Sequence, residues 1–118
     1  MAQLAAAKAQ AVVVMASTWF VLHHPAIVQA AQARRLPVVG NTTPIPAHGG
    51  LFSFGPDRSA LARRSAYHVD RILKGTKPGE LPIEQPNAFE LVINLKTAAA
   101  LGIVIPQAMR LRVTRFIE

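Results

Sequence analysis

The chain contains no cysteine, which excludes disulfide staples, thiolate metal sites and cysteine nucleophiles together. Aromatic residues are few: one Trp, one Tyr and five Phe in 118 residues, little material for the stacking platforms of a single-strand nucleic-acid binder. Acidic residues number six against 13 Lys and Arg. They are widely spaced, and none forms an evident acid–base pair. The chain also lacks a phosphate-binding loop, a G-x-G-x-x-G fingerprint, a G-x-S-x-G elbow and an H-E-x-x-H helix. These absences argue against a self-contained enzyme.

What remains is a chain with the substance of one domain. Half of it is hydrophobic (51%) and only 16% is charged, a composition that argues against disorder. The apolar mass is mainly Ala, Val, Leu and Ile, as expected where helices pack on a buried sheet. The formal charge is +7, but nucleic-acid binding needs basic residues clustered on one face. Here they are scattered from Arg34-Arg35 through Arg58, Arg63-Arg64, Arg71, Lys74 and Lys77 to Arg110, Arg112 and Arg115. Solvated helix faces are the better reading, and a small basic nucleic-acid binder ranks last. His23 and His24 are adjacent and therefore diverge on either a strand or a helix, so no metal site is expected.

The first stretch imitates an export signal. Lys8 precedes an apolar run from Ala11 to Leu22, and Ala31-Gln32-Ala33 resembles a cleavage site. The run is too short to span a membrane, and the cleavage-like triplet lies well past it. The same residues read better as structure. Residues 2–9 resemble a helix end, Ala11–Met15 a strand buried on both faces, and Pro25–Arg35 a helix opened by its proline. Leu36–Val39 is a second short strand closed by Gly40. Residues 41–50, with two prolines and two glycines, read as a loop. Leu51–Phe54 is a third strand.

A helix with Asp57 as N-cap and Gly75 as stop follows, its apolar stripe running from Leu61 to Leu73. Residues 75–80 form a turn, Phe89–Leu95 a strand, and Lys96–Leu101 a helix stopped by Gly102. A last helical stretch is expected from Pro106 to Glu118. Strand–helix–strand units with short connections define an α/β fold with parallel pairing. In such sheets ligands sit beyond the carboxyl ends of the strands. That rule marks Ser17-Thr18 and Asn41-Thr42, although both pairs also suit turn and cap chemistry.

Four blocks then carry a family resemblance: Gly49–Asp57 (GGLFSFGPD), Tyr67–Gly75 (YHVDRILKG), Pro82–Pro86 (PIEQP) and Phe89–Ala98 (FELVINLKTA). In this order and spacing they resemble the end of the ABC transporter substrate-binding family related to tryptophan- and tyrosine-binding lipoproteins. The resemblance implies part of a type I periplasmic-binding-protein fold, in which two α/β lobes close on a small solute. Residues 1–48 are then expected in the second lobe, 49–80 as a strand and helix crossing to the first, and 81–118 as the return. A complete member would be more than twice as long and periplasmic, so the chain corresponds to a carboxy-terminal portion without a convincing signal peptide.

On the same basis the expected partners are ABC permease subunits and a small organic solute such as an amino acid, with no cofactor, no metal and no nucleic acid. Ser17, Thr18, Asn41, Thr42, Ser53 and Phe54 are the expected solute-facing residues. Phe54 stands where the family more often has Tyr. A second reading is a truncated domain that self-associates through the helix face of Leu61, Val69 and Leu73.

Overall fold

The computed structural model describes residue 3 and residues 7–118; half of the helix end expected over 2–9 (residues 2 and 4–6) lies outside the described residues. The chain divides into two units, one comprising Met1–Gly55 and Glu90–Glu118, the other Pro56–Phe89.

The first unit is built on a five-stranded sheet in the order β1-β2-β3-β4-β5, with β1 Val12–Val14, β2 Val38–Gly40, β3 Phe52–Pro56, β4 Phe89–Asn94 and β5 Arg115–Ile117. β1, β2 and β3 are parallel, with Val14 opposite Gly40 and Gly40 opposite Ser53. The Asn94 N–H bonds the Leu51 carbonyl and the Asp57 N–H bonds the Ala88 carbonyl, so β4 runs against β3. β5 returns parallel to β4. The sheet is thus mostly parallel, as βαβ connections require.

Helix α1 (Thr18–Gln32) begins seven residues before the expected start at Pro25. Ser17 is extended, and its side chain accepts the Phe20 N–H at 3.3 Å, which satisfies one orphan donor and starts the helix there. Pro25 consequently lies inside the helix and supplies no N–H for the Val21 carbonyl. The helix tolerates this because His24, Val28 and Ala31, spaced four and three apart, are buried on one face. With Val14, Leu36, Val38 and Ile45, the last two close the core of the unit. Each fully buried aliphatic side chain there contributes about 1.5–3 kcal/mol.

β1 is covered on one side only among the described residues: Val14 is buried, whereas Val13 and Met15 are exposed. The second strand starts at Val38 rather than Leu36. Pro37 lacks an N–H for the ladder, and its carbonyl accepts from Val12. Within the expected loop 41–50 lies one helical turn, α2 (Pro44–Ala47), because proline fits the first helical position.

At the carboxyl end, α4 (Leu95–Leu101) stops at Gly102 in the left-handed region, as its sequence implied. The helix expected from Pro106 to Glu118 is not formed. One turn, α5 (Gln107–Arg110), gives way to β5, where Phe116 and Ile117, with Val113 and Thr114 just before the strand, suit extended structure better. The Thr114 N–H bonds the Leu91 carbonyl at 2.8 Å, and its hydroxyl accepts the Leu91 N–H at 3.1 Å.

In the second unit, α3 (Arg58–Leu73) is capped as expected: the Asp57 carboxylate accepts from Ser59 and Ala60 at 2.8 and 3.0 Å. Gly75, at φ +98°, allows the Thr76 N–H to reach back to the Arg71 carbonyl. No residue of α3 is buried. A single 3-10 turn, Pro78–Glu80, follows.

Candidate functional site

Three parallel strands end at one edge of the first unit, and the residues expected to face a solute lie there. The register aligns Val14, Gly40 and Ser53. Neighbouring strands lie about 4.8 Å apart, so the ends of β1 and β3 are roughly 10 Å from each other. Ser17-Thr18 follows β1, Asn41-Thr42 follows β2, and Ser53-Phe54 belongs to β3. Gly55 tightens this edge: a Cβ there would collide with the Asn41 carbonyl, so only glycine lets the turn after β2 lie against the end of β3.

The six residues divide by exposure. Ser17, Thr18, Asn41 and Phe54 are exposed, while Thr42 and Ser53 are buried at 6% and 2%. Ser17 already acts as the α1 N-cap, but a hydroxyl that accepts through one lone pair still has its proton to donate. The Thr42 hydroxyl is buried without a hydrogen-bond partner. That state costs about 1–3 kcal/mol in a folded protein. Ser53 faces inward, and the structure does not bring its hydroxyl to the surface.

The turn carrying Asn41 and Thr42 is held from behind by side chains that the sequence reading did not single out. Asn94 caps α4 by accepting the Thr97 N–H and donates to the Pro46 carbonyl, both at 2.9 Å. The Thr97 hydroxyl and the Gln32 amide both donate to the Gly49 carbonyl, at 2.9 and 3.0 Å. The signal was present in the sequence, since an Asn directly before an apolar helical run is an N-cap. Its second bond, 48 residues back along the chain, has no local signature. His24 is a further unanticipated feature: it is 1% exposed and its Nδ1 has no partner. Burial, then repulsion from His48, pushes its imidazole below the ordinary value.

The second unit has its own polar cluster. Arg64 pairs with Glu84 and lies 4.0 Å over the Tyr67 ring, while His68 stands 3.8 Å from Glu84. The hydrogen bond from Arg64 holds the Glu84 carboxyl below its ordinary value. These residues line an open groove of about 840 Å³ with Asp57 and Asn87. Among the described residues no three His, Asp or Glu side chains gather to hold a metal, and no helix is long and apolar enough to cross a membrane.

The candidate site is thus a set of polar residues at the ends of the parallel strands of a mostly parallel α/β sheet. Residues 1–116 match the ABC transporter substrate binding protein family, and the chain belongs to that family, whose members bind solutes extracytoplasmically without catalysis and work with ABC transporter components. No curated protein matches the sequence significantly.

Among solved structures, a conserved domain protein from Vibrio cholerae is similar at 30% identity and a TM-score of 0.88, over 98% of this chain and 39% of that one. An ABC domain from Streptococcus pneumoniae, solved in complex with L-Trp, is similar at 27% identity and a TM-score of 0.87, over 97% of this chain and 39% of its own. A Clostridium difficile substrate-binding protein with adhesive properties, in a ligand-free open structure, shares the fold at 17% identity and a TM-score of 0.64, over 90% of this chain and 35% of that one. The chain therefore spans about two-fifths of the length of these relatives.

Proposed function

We propose that this chain supplies the carboxy-terminal share of a solute cleft in an ABC importer, with Ser17, Thr18, Asn41, Thr42 and Phe54 as its side-chain contribution and the inward-facing Ser53 left out of it. The solute is a small amino-acid-like molecule, and the closed protein docks on permease subunits. The observation that carries the reading is the Thr42 hydroxyl, buried without a partner at the strand edge where such folds bind ligands. The pneumococcal relative holds L-Trp, which supports an amino acid as the solute class. The expected boundaries 48/49 and 80/81 then shift to those of the two units: Met1–Gly55 and Glu90–Glu118 belong to one lobe, and Pro56–Phe89 reaches the other.

Titration calorimetry of the chain against a panel of L-amino acids, tryptophan included, tests this. Thr42→Val should weaken binding about tenfold, the effect of losing one hydrogen bond, while leaving the free protein as stable or slightly more so. Unchanged affinity in Thr42→Val and Ser17→Ala would remove those residues from the site.

A second reading is favoured by one observation: Val69, Ile72 and Leu73 on α3 are 54%, 41% and 82% exposed. An apolar stripe of this kind needs cover, and the alternative is self-association through Leu61, Val69 and Leu73. Sedimentation mass that rises with concentration and reverts in Leu73→Lys would establish it; a constant monomer mass would refute it.

A further inference from the structure

Glu90, the second residue of β4, is an acidic side chain outside the set of solute-facing residues above. The bond from the Asn94 N–H to the Leu51 carbonyl sets the antiparallel register, which puts Glu90 opposite Gly55. Directly opposed residues of an antiparallel pair send their side chains to the same face. Gly55 has no side chain there, and the Asn41 carbonyl fills the space its Cβ would take. Glu90 therefore reaches the turn that carries Asn41 and Thr42, at the carboxyl edge of β1 to β3. The Thr43 hydroxyl fits this placement: it makes no capping bond at the start of α2 and instead donates to the Glu90 carboxylate at 3.5 Å.

This carboxylate is short of partners. The long bond from Thr43 is the one hydrogen bond it accepts among the described residues, whereas a carboxylate offers about four acceptor sites. Among the described residues no Lys or Arg pairs with it, although the chain carries a net charge of +7. The other acidic residue of the first unit, Glu118, follows Ile117, which aligns with Asn94 at the far end of β4. Glu90 is thus the acid that the first unit brings to the strand edge. It is half-buried there without a counter-ion, a state that costs free energy until a cation meets it. A metal ion does not suit the place, because no three His, Asp or Glu side chains gather among the described residues. An ammonium group does. Its several N–H donors can serve the carboxylate and a second oxygen, such as the unpartnered hydroxyl of Thr42, the residue before Thr43.

We propose that Glu90 is the anionic member of the solute site and holds an ammonium group of the solute, with Thr43 keeping the carboxylate turned to the edge. The chemistry is the same whether the ammonium is the α-amino group of an amino acid or belongs to a free amine. Its place in a solute cleft rests on the function proposed above; cation binding at Glu90 does not.

The test is NMR of the whole ¹³C,¹⁵N-labelled chain, following the Glu90 carboxyl carbon and the amides of Thr18, Thr42 and Thr43. L-Tryptophan, tryptamine and indole-3-propionate are added in separate titrations; the last keeps the ring and the carboxylate but has no ammonium. Saturable movement of the Glu90 carboxyl with L-tryptophan or tryptamine is expected, and none with indole-3-propionate. Glu90→Gln, which keeps an acceptor for Thr43, should weaken the ammonium probes by about tenfold or more, the effect of losing a charge-assisted hydrogen bond. Glu118→Gln, the same change of charge at the other end of the sheet, should leave them unchanged. A Glu90 carboxyl that neither ammonium probe moves, or equal losses in the two variants, would overturn the assignment. Tighter binding of L-tryptophan than of tryptamine identifies an amino acid as the source of the ammonium, and the reverse a free amine. Tryptamine that moves Glu90 while Thr18 and Thr42 stay silent keeps the ammonium site and counts against the cleft. L-Tryptophan that moves Thr18 and Thr42 but not Glu90 keeps the cleft and overturns the role given to Glu90.

Discussion

The two units use apolar residues in opposite ways. In the first, Val28, Ile45, Val92 and Ile93 are at most 1% exposed, and the loops at the strand edge are tied down by Asn94, Thr97 and Gln32. In the second, a sixteen-residue helix with good caps at both ends buries nothing. Local signals alone therefore suffice to specify α3, but they supply little stability, because in water most helical stability comes from packing. The contrast separates a unit that packs its own core from one whose helix has no buried residue.

The sharpest way to break the comparison is to truncate one apolar side chain in each unit. Ile45→Ala, at a site with no exposed surface and against Gly40 and Gly50, should cost about 2–5 kcal/mol in urea unfolding. Leu73→Ala should stay within about 0.5 kcal/mol of wild type. Equal losses would mean that α3 is packed as firmly as the core. Next in size is Asn94→Ala, which removes the α4 cap and one of the hydrogen bonds to the Pro46 carbonyl, which keeps the Gly49 N–H; about 1–2 kcal/mol is expected from the same unfolding curves.

In the second unit, Asp57→Ala should cost about 1 kcal/mol of helix stability, read as faster amide exchange over 58–62 with the exchange of β4 unchanged. The smallest effect belongs to Glu84→Gln. Its carboxyl is held below the ordinary value, so its contribution is present above pH 4.5 and fades as the pH falls through its folded value. Because Glu84 and Arg64 are solvated, screening leaves little of that contribution, and the melting temperature should not move measurably.

What could be read in the sequence follows the same division. α3, its Asp57 cap and its Gly75 stop were legible because each is a local feature. So were the Gly102 stop and the parallel strands, β1 and β2 marked by short Val runs and β3 by an apolar stretch ended at Gly55-Pro56. The start of α1 was misplaced because Pro25 looks like a first-turn proline, and only burial of the face His24, Val28 and Ala31 makes it tolerable mid-helix. The terminal strand was missed because its partner, β4, lies more than twenty residues away in sequence, and Pro106 announces a helix that lasts one turn. At the candidate site the strand-end rule pointed to Ser17-Thr18 and Asn41-Thr42. It could not foresee that Ser53 turns inward, nor that Asn94 and Thr97 brace the turn from 48 residues away.

The central claim is that solute meets the strand edge of the first unit and not the polar groove on α3. Amide shift mapping of the chain with increasing L-tryptophan, and separately with L-leucine, tests it most directly. The account predicts saturable shifts for at least one of them at Thr18, Asn41, Thr42 and Phe54, with residues 58–73 silent. Saturable shifts confined to Arg64, His68 and Glu84, or none at the strand edge with either amino acid, would contradict it.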